Sequence, residues 1–377
     1  MDAMPARGVT AAGHPLSAAA GTRAYELGGN AVDAAVAAML TSFVAEPLLT
    51  GLGAGGLMTI AEPDGKAVCL DFFVEAPGRG ADHSARADLL PWQVDFGDAT
   101  QVFNAGPASA GTYGNPAGLV HASTSFGRLP LAELTSHAAG LARGGVEVTA
   151  EMAYLFSILT GIITATPESS AIFAPSGVVL TEGELLVQPE LADALDLLGS
   201  EGSEPFYTGA IADSVADWLA DRGGLITRAD LESYKVVERE PISTSYRGRE
   251  ILTPPPPSAG GVLISLTLAL LERGGGAPDS TALVAAMEEA QNARTPEFLE
   301  GLTEEGFATK FLGSHLGNTT HISTIDSDGL ACSVTCSNGS SSGVVVPGTG
   351  IHLNNMMGEQ DLNPQGFHMH PPGRRLP

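Results

Sequence analysis

Residues 318–335, NTTHISTIDSDGLACSVT, carry the strongest structural signal in this chain. Thr320, Ile322 and Thr324 occupy every second position, so their side chains would share one face of a strand. This alternation is typical of a β-strand with one buried face. A turn is expected at 326–329, and the strand pattern resumes directly after it. The stretch therefore predicts a β-hairpin, and an ordinary hairpin with a polar edge is the alternative to one that begins at a catalytic residue.

The start of this stretch also suggests a self-cleavage site. Thr319 follows Asn318 between a polar loop and the predicted strand, so its hydroxyl could attack the Asn318 carbonyl. Cutting that bond would give Thr319 a nucleophilic hydroxyl and a free α-amine, whose pKa of about 7.7–8.0 suits a base. No Ser/His/Asp order or metal-ligand spacing elsewhere competes with this hypothesis. A plain loop-to-strand junction without catalytic function is the alternative.

Composition agrees with a soluble enzyme and disfavours two classes of partner. With 377 residues, 44% of them hydrophobic, the chain can form one large α/β domain or two smaller ones. The formal net charge of −25 argues against nucleic acid or an anionic membrane as partners, because both attract clustered Lys and Arg. A salt-adapted protein would be similarly acidic, and an ordinary acidic protein is the preferred interpretation.

The N-terminal residues and the cysteines limit location and metal binding. Residues 1–15 lack the apolar core of a signal peptide, and no run of about 20 apolar residues occurs. We therefore expect a cytoplasmic protein, or an exported one if the true start lies upstream. Cys69, Cys332 and Cys336 are too few for a disulfide framework, and the last two share one strand face. Buried free thiols are favoured over a metal pair, so neither metal nor cofactor is expected.

Local patterns predict an α+β architecture with a mostly helical middle. Helices are predicted over 15–27, 31–43, 118–142 with a break at 127, 151–165, 188–198, 210–221 and 260–271. Strands are predicted over 57–60, 67–73 and 250–252, and residues 81–106 are expected to be irregular. Asn30 stands where it can cap the second helix.

Six sequence blocks occur in a fixed order along the chain. They are 28–37 (GGNAVDAAVA), 51–58 (GLGAGGLM), the motifs within 223–248, 254–261 (PPPPSAGG), Thr-Thr-His at 319–321 and 348–356 (GTGIHLNNM). With these blocks the chain resembles the γ-glutamyltranspeptidase family, whose members are N-terminal-nucleophile (Ntn) hydrolases. Six blocks in the same order are hard to obtain by chance.

The resemblance implies an Ntn-type αββα sandwich built around Thr319. Residues 1–318 would correspond to the large subunit, and 319–377 to a short small-subunit region. In the precursor, the Thr319 hydroxyl would attack the Asn318 carbonyl in an N-to-O shift, and water would hydrolyse the ester. In the mature enzyme, the same hydroxyl would take the acyl group from a small amide or γ-glutamyl substrate and pass it to water or an amine.

The family places a second hydroxyl close to the amine of the nucleophile. This position aligns with Ser337, and Thr335 is a nearby alternative. As a structural alternative, both hydroxyls would only form hydrogen bonds in the turn.

On one side of the substrate, the chain departs from the γ-glutamyl enzymes. Their arginine that clamps the substrate α-carboxylate aligns with Phe73. Loss of one partner of such a desolvated charge pair costs about 2–5 kcal/mol, so γ-glutamyl specificity is in doubt. Arg79 could compensate only if the chain turns back toward Phe73. The family's asparagine for the same group is displaced, with Asn338 preceding the aligned Gly339.

On the other side, acidic and amide groups of the family bind the substrate α-amine. Asn355 is retained, and Glu359 occupies the acidic position. Met356 replaces the amide, which predicts a more apolar pocket suited to an amidase or acylase for a less polar acyl group. Glu359 could alternatively be one more solvated carboxylate.

Family members continue beyond the segment that matches 371–375. They add a Ser-Ser pair, a Gly-Gly turn that forms the oxyanion hole, and further strands and helices. Each oxyanion donor contributes about 2.7–4 kcal/mol to transition-state stabilisation. We therefore expect either a separate chain that supplies the remainder or a truncated, non-catalytic relative.

Overall fold

The computed structural model describes residues 7–96, 100–295, 298, 302 and 320–377, so the predicted scissile pair Asn318 and Thr319 lies outside the described residues. The helices are α1 (Pro15–Glu26), α2 (Ala31–Ala45), α3 (Asn115–Phe126), α4 (Leu131–Gly144), α5 (Ala150–Ile158), α6 (Thr160–Ile163), α7 (Pro167–Phe173), α8 (Pro189–Glu201), α9 (Glu204–Tyr207), α10 (Ala210–Ala220), α11 (Arg228–Ser233), α12 (Ala259–Gly274) and α13 (Ser280–Asn292). The strands are β1 (Gly8–Ala11), β2 (Gly55–Ala61), β3 (Ala67–Phe72), β4 (Leu90–Asp95), β5 (Thr100–Ala105), β6 (Val146–Glu147), β7 (Leu185–Leu186), β8 (Val237–Arg239), β9 (Ile242–Tyr246), β10 (Arg249–Thr253), β11 (Thr320–Asp326), β12 (Ala331–Ser337), β13 (Val345–Val346) and β14 (Ile351–His352). The predicted α+β class is confirmed.

Helix α2 is the buried centre of the helical layer. Its predicted cap is confirmed: the Asn30 side chain accepts hydrogen bonds from the N–H groups of Val32 and Asp33, and the Asp33 carboxylate accepts one from the Asn30 N–H. All 15 residues of α2 are buried, and the helix packs against α1, α4 and the sheet. No helix within the described ranges is both long and apolar enough to cross a bilayer.

The large sheet is antiparallel, with strand order β1-β11-β12-β2-β3-β8. The predicted hairpin is confirmed, since β11 pairs with β12 from Thr320 opposite Cys336 to Ile325 opposite Ala331. This hairpin lies between β1 and β2, which come from the other end of the chain. The regions before and after residue 319 therefore share one sheet, while the subunit boundary itself stays a prediction.

The two faces of this sheet differ in burial. Ile322, Cys332 and Cys336 are buried on the face that α2 covers, so the predicted common face of the two cysteines is confirmed. On the opposite side, β1, β2, β11 and most of β12 present exposed or half-buried side chains, and we call this area the open face. The same side of β3 carries the buried Cys69 and Asp71 and does not belong to the open face. The open face comprises Val9, Ala11, Leu57, Thr59, Ala61, His321, Ser323, Ile325, Ala331, Ser333 and Thr335.

The prediction that residues 81–106 are irregular is wrong, because they contain the strand pair β4–β5. Val94 and Ala105 are buried, and Trp92 and Phe103 pack against the hydrophobic cluster that α5, α6 and α7 form. These stabilising partners lie far along the chain, so local alternation could not reveal the strands.

Candidate active site

The predicted site residues lie where β12 ends and the chain turns back. Ser337 is the last residue of β12 and pairs with Gly55, the first residue of β2. Its side chain is buried, and its hydroxyl accepts a hydrogen bond from the Gly339 N–H at 3.0 Å. A hydroxyl offers one donor and two acceptor sites, so this turn contact leaves capacity for another partner.

Two predicted residues, Asn355 and Glu359, meet at Ser340, which the sequence did not single out. The Ser340 N–H donates to Asn355 Oδ1 at 2.9 Å, and Asn355 Nδ2 donates to Ser340 Oγ at 2.7 Å. The Ser340 hydroxyl donates in turn to Glu359 Oε1 at 3.2 Å. We call Ser337, Gly339, Ser340, Asn355 and Glu359 the loop cluster.

Glu359 is a half-buried carboxylate rather than a freely solvated one. Burial raises the pKa of its carboxyl group, and the hydrogen bonds from Asn355 and Ser340 act in the opposite direction. A cation placed next to this carboxylate would favour its charged form. Glu359 thus offers an acidic partner for the predicted substrate amine, and this contact stays a prediction.

Asn338 does not join the loop cluster through its side chain. Its N–H donates to the Leu49 carbonyl at 2.9 Å, and its carbonyl accepts from the Asn355 N–H at 3.3 Å. The side chain is fully buried, and neither amide atom has a hydrogen-bond partner in the structure as described. The backbone of Asn338 thus connects the two loops, whereas its predicted contact with substrate stays a prediction.

Thr335 belongs to a different polar group on the open face. Its hydroxyl lies 2.7 Å from His321 Nδ1, and His321 Nε2 lies 3.0 Å from Ser323 Oγ and 3.1 Å from Ser333 Oγ. Burial lowers the pKa of His321, which favours the neutral ring. The sequence did not single out His321, which the observed register of the hairpin pairs with Thr335.

Phe73 and Met356, from distant parts of the chain, pack into one apolar cluster. The other members are Val74, Ala76, Met357, Leu362 and Leu376. Met356 is buried, and Phe73 is half-buried. The two positions that depart from the γ-glutamyl pattern therefore belong to one hydrophobic cluster, whereas the more apolar substrate pocket stays a prediction.

The guanidinium of Arg375 contacts the backbone of Phe73, and the sequence did not identify this residue. Arg375 donates to the Phe73 carbonyl and to the Tyr234 hydroxyl, and its Nε lies 3.6 Å from Asp71 Oδ1. Arg79 instead pairs with Asp230, whose Oδ1 lies 3.3 Å from Arg79 Nη1. Arg79 also pairs with Glu75, which in turn pairs with Arg375, so the role of Arg79 as a replacement carboxylate clamp stays a prediction.

The cysteines contribute no reactive thiolate. All three are free and buried, and burial raises the pKa of Cys336 to about 12, against the hydrogen bond that Thr50 donates to its sulfur at 3.0 Å. In the part of the chain that the structure describes, no three His, Cys, Asp or Glu side chains are grouped to hold a metal ion.

Comparison with known proteins relates this arrangement to a family. The sequence pattern of the gamma-glutamyltranspeptidase family matches residues 17–376. The acylase ACY 1 proenzyme of Pseudomonas sp. (strain SE83) is 33% identical over 98% of this chain and 72% of its own length. The glutathione hydrolase proenzyme of Escherichia coli (strain K12) is 32% identical over 89% of this chain and 64% of its own length.

A solved structure supports the same assignment at the level of the fold. The cephalosporin acylase from Bacillus halodurans superimposes with a TM-score of 0.76 at 26% identity, covering 100% of this chain and 76% of that chain. The Ntn-hydrolase fold class predicted from the sequence blocks is thereby confirmed. Family pattern, relatives and fold agree, and the chain belongs to the γ-glutamyltranspeptidase family.

Proposed function

We propose that this chain is an amide-cleaving acyl hydrolase or acyltransferase that processes itself between Asn318 and Thr319. The observation that carries the proposal is the register of the hairpin. Strand β11 begins one residue after Thr319 and pairs with β12, whose last residue is Ser337 in the loop cluster. A ladder extended by one pair would bring position 319 opposite Ser337.

In this mechanism the hydroxyl and the α-amine of Thr319 act together. After scission, the amine takes the hydroxyl proton while the oxygen attacks the substrate carbonyl, and the protonated amine then assists the departing amine. Water or an acceptor amine releases the acyl group from the ester. We assign Ser337 the role of holding the amine by a hydrogen bond.

We further propose that the acyl group is less polar than γ-glutamyl. Phe73 and Met356 replace polar groups and share one hydrophobic cluster, whereas Arg375 and Arg79 are held in ion pairs with Asp71 and Asp230. The relatives include both an acylase and a glutathione hydrolase, so family membership permits either substrate class. The apolar cluster favours the acylase alternative.

Self-processing is tested by intact mass spectrometry of the purified chain. We expect two fragments divided after Asn318 and a single uncut chain for Thr319→Ala. Thr320→Ala, which changes the neighbouring threonine, is the matched control and should still be cut. A wild-type chain that stays whole for days, or a Thr319→Ala chain that is cut at the same bond, would contradict the proposal.

Substrate class is tested by comparing γ-glutamyl and hexanoyl p-nitroanilides. Loss of a carboxylate clamp is worth about 2–5 kcal/mol, so we expect kcat/KM for the hexanoyl compound to be higher by at least about tenfold. Phe73→Arg should shift the ratio toward the glutamyl compound. A wild-type preference for the glutamyl compound would overturn the assignment of an apolar acyl group.

We also propose that a separate polypeptide with further strands covers the open face. Val9 is 64% and Ile325 is 48% exposed there, which is unusual for the centre of a sandwich. The C-terminal segment of the Pseudomonas acylase, expressed alone, should bind this chain in sedimentation experiments. Ile325→Glu should prevent binding, and Leu90→Glu, at an exposed apolar residue elsewhere, should not.

Failure of the segment to bind, with turnover by the chain alone, would overturn this assembly. Absence of both scission and turnover with and without the segment would instead support a non-catalytic relative.

A further inference from the structure

A cavity of about 450 Å³ is lined by residues of α2, α7, α8, the segment after α2 and the β13–β14 hairpin. Its wall is mainly apolar, and the principal contributors are Phe43, Leu52, Ile172, Phe173, Leu191 and Val345. No residue of the loop cluster, and neither Phe73 nor Met356, lines it. Protein pockets for small molecules commonly measure about 300–1,000 Å³ and are lined in this way.

The uncharged polar side chains in the wall, those of Thr50, Gln188 and His352, have hydrogen-bond partners. His352 Nε2 lies 2.5 Å from the Ser341 hydroxyl, and burial lowers the pKa of His352 to about 4, so the ring is neutral. Gln188 Nε2 donates to the Val44 carbonyl at 3.0 Å. These groups shape the cavity but bring no charge to it.

The charges of the cavity are all negative. Glu168 and Glu190 line it, and no Lys or Arg does. Glu190 is exposed and accepts a hydrogen bond from the Gly348 N–H at 2.8 Å, whereas Glu168 is half-buried. A carboxylate beside an apolar wall attracts a cation with a hydrophobic body and repels a carboxylate ligand.

We propose that this cavity binds a small molecule that combines an apolar body with a protonated amine. The apolar body fills the space between Phe43, Ile172 and Phe173, and the ammonium group faces Glu168. The cavity stands apart from the residues assigned to acyl transfer, so the proposal does not depend on self-processing or on turnover.

The test is calorimetric titration of the full chain with 4-phenylbutylamine and two probes of the same shape, 4-phenylbutanol and 4-phenylbutyrate. We expect saturable one-site binding of the amine, with affinity about tenfold above the alcohol, the effect of one charge-assisted hydrogen bond. The carboxylate should bind more weakly than the alcohol. Equal affinity for all three probes, or no saturable binding, would overturn the proposal.

Variants locate the binding. Ala171→Phe should fill the cavity and abolish binding, and Val187→Phe is a second filling variant in case the first does not fold. Glu168→Gln should lower the affinity for the amine about tenfold without affecting the alcohol. Glu182→Gln, at an exposed residue outside the cavity wall, is the matched control and should leave binding unchanged.

The high negative charge of the chain requires one more control. Butylamine carries the same charge without the ring and should not saturate. Amine binding that persists in Ala171→Phe and Val187→Phe, or equal binding of butylamine and 4-phenylbutylamine, would identify general surface attraction and refute the site.

Discussion

Gly339 holds the loop cluster in a conformation that other residues would disturb. Its φ of +65° lies in the left-handed region, and a Cβ at this position would stand 2.1 Å from Asn355 Oδ1. Asn355 in turn fixes Ser340, which contacts Glu359. The absence of a side chain at position 339 is therefore a condition for the whole hydrogen-bonded arrangement.

Gly339→Ala should accordingly destabilise the protein by more than backbone strain alone. Gly248→Ala is the matched control, because Gly248 has a φ of +72° and a Cβ at that position would meet no atom within 4 Å. We expect about 1 kcal/mol for Gly248→Ala and about 2–3 kcal/mol for Gly339→Ala in urea unfolding. Equal losses would show that the Asn355 contact relaxes without consequence.

Glu46 is a buried carboxyl group at the end of α2. Its carboxylate lies 3.5 Å from the Ser17 hydroxyl, and burial raises its pKa from 4.5 to about 7. In the unfolded chain the group loses its proton at lower pH than in the folded chain. Between pH 4.5 and about 7, unfolding thus releases a proton, and stability falls as the pH rises.

Glu46→Gln should remove this fall, because the amide does not titrate. The free energy of unfolding of Glu46→Gln should equal that of wild type below pH 4.5. Above pH 7 it should exceed that of wild type by on the order of 3 kcal/mol. Urea unfolding between pH 4 and 8 measures it, with Glu182→Gln as the exposed control. A difference that does not change with pH would mean that Glu46 does not titrate in this window.

At the scale of elements, the Asp33 carboxylate joins α2 to the turn between α3 and α4. It accepts hydrogen bonds from the N–H groups of Asn30, Arg128 and Leu129 at 2.8, 2.9 and 3.1 Å, and it is fully buried. Three N–H groups would lose their partner if the carboxylate were removed. The start of α2 therefore depends on a side chain that serves two elements.

Asp33→Ala should destabilise the protein by about 3–5 kcal/mol. Asn30→Ala, which removes the cap and the hydrogen bond that Asn30 Nδ2 donates to the Phe126 carbonyl, should cost about 1–2 kcal/mol. Asp193→Ala, which breaks an exposed ion pair with Arg143, should cost at most about 1 kcal/mol. Thermal and urea unfolding of the three variants measure these losses of stability and rank them. Similar losses for Asp33→Ala and Asp193→Ala would contradict the structural role of Asp33.

Sequence patterns identified those elements whose stabilising contacts are local. Helix α2 and the β11–β12 hairpin were predicted because a cap, a turn and a regular period each lie within a few residues. Strand β1 was missed, since its four residues pair with β11, which lies near the other end of the chain. Helix α13 was also missed, although Asp279 caps it.

In the candidate site, too, some residues could be predicted from the sequence and others became evident only from the fold. The order of sequence blocks led to Ser337, Gly339, Asn355 and Glu359, which the structure brings together. Arg375 was missed, because only the folded chain brings it to the Phe73 carbonyl. Thr319 lies outside the described residues and stays a prediction.

At the scale of the whole molecule, charge imbalance opposes compactness. The chain contains 43 Asp and Glu against 18 Lys and Arg, so acidic side chains far outnumber basic ones. Screening reduces repulsion at distances beyond the Debye length, which falls from about 10 Å at 0.1 M salt to about 3 Å at 1 M. Because like charges lie closer together in the compact native state, screening should stabilise that state more than the expanded unfolded chain.

The melting temperature should therefore rise when NaCl is increased from about 0.1 M to 1 M. KCl should have the same effect, which separates screening from binding of a particular cation. Scanning calorimetry measures the change. A melting temperature that falls or stays constant would show that the acidic surface does not limit stability.

The position of the β11–β12 hairpin between β1 and β2 has a consequence for a chain cut after residue 318. The later fragment would be clamped along both edges of the hairpin by strands of the earlier one. The earlier fragment contains β1 and β2, and the later fragment contains the two strands between them. Neither fragment can therefore complete this part of the sheet without the other. The two fragments would therefore have to fold together. After assembly, they could dissociate only if this part of the sheet unfolds.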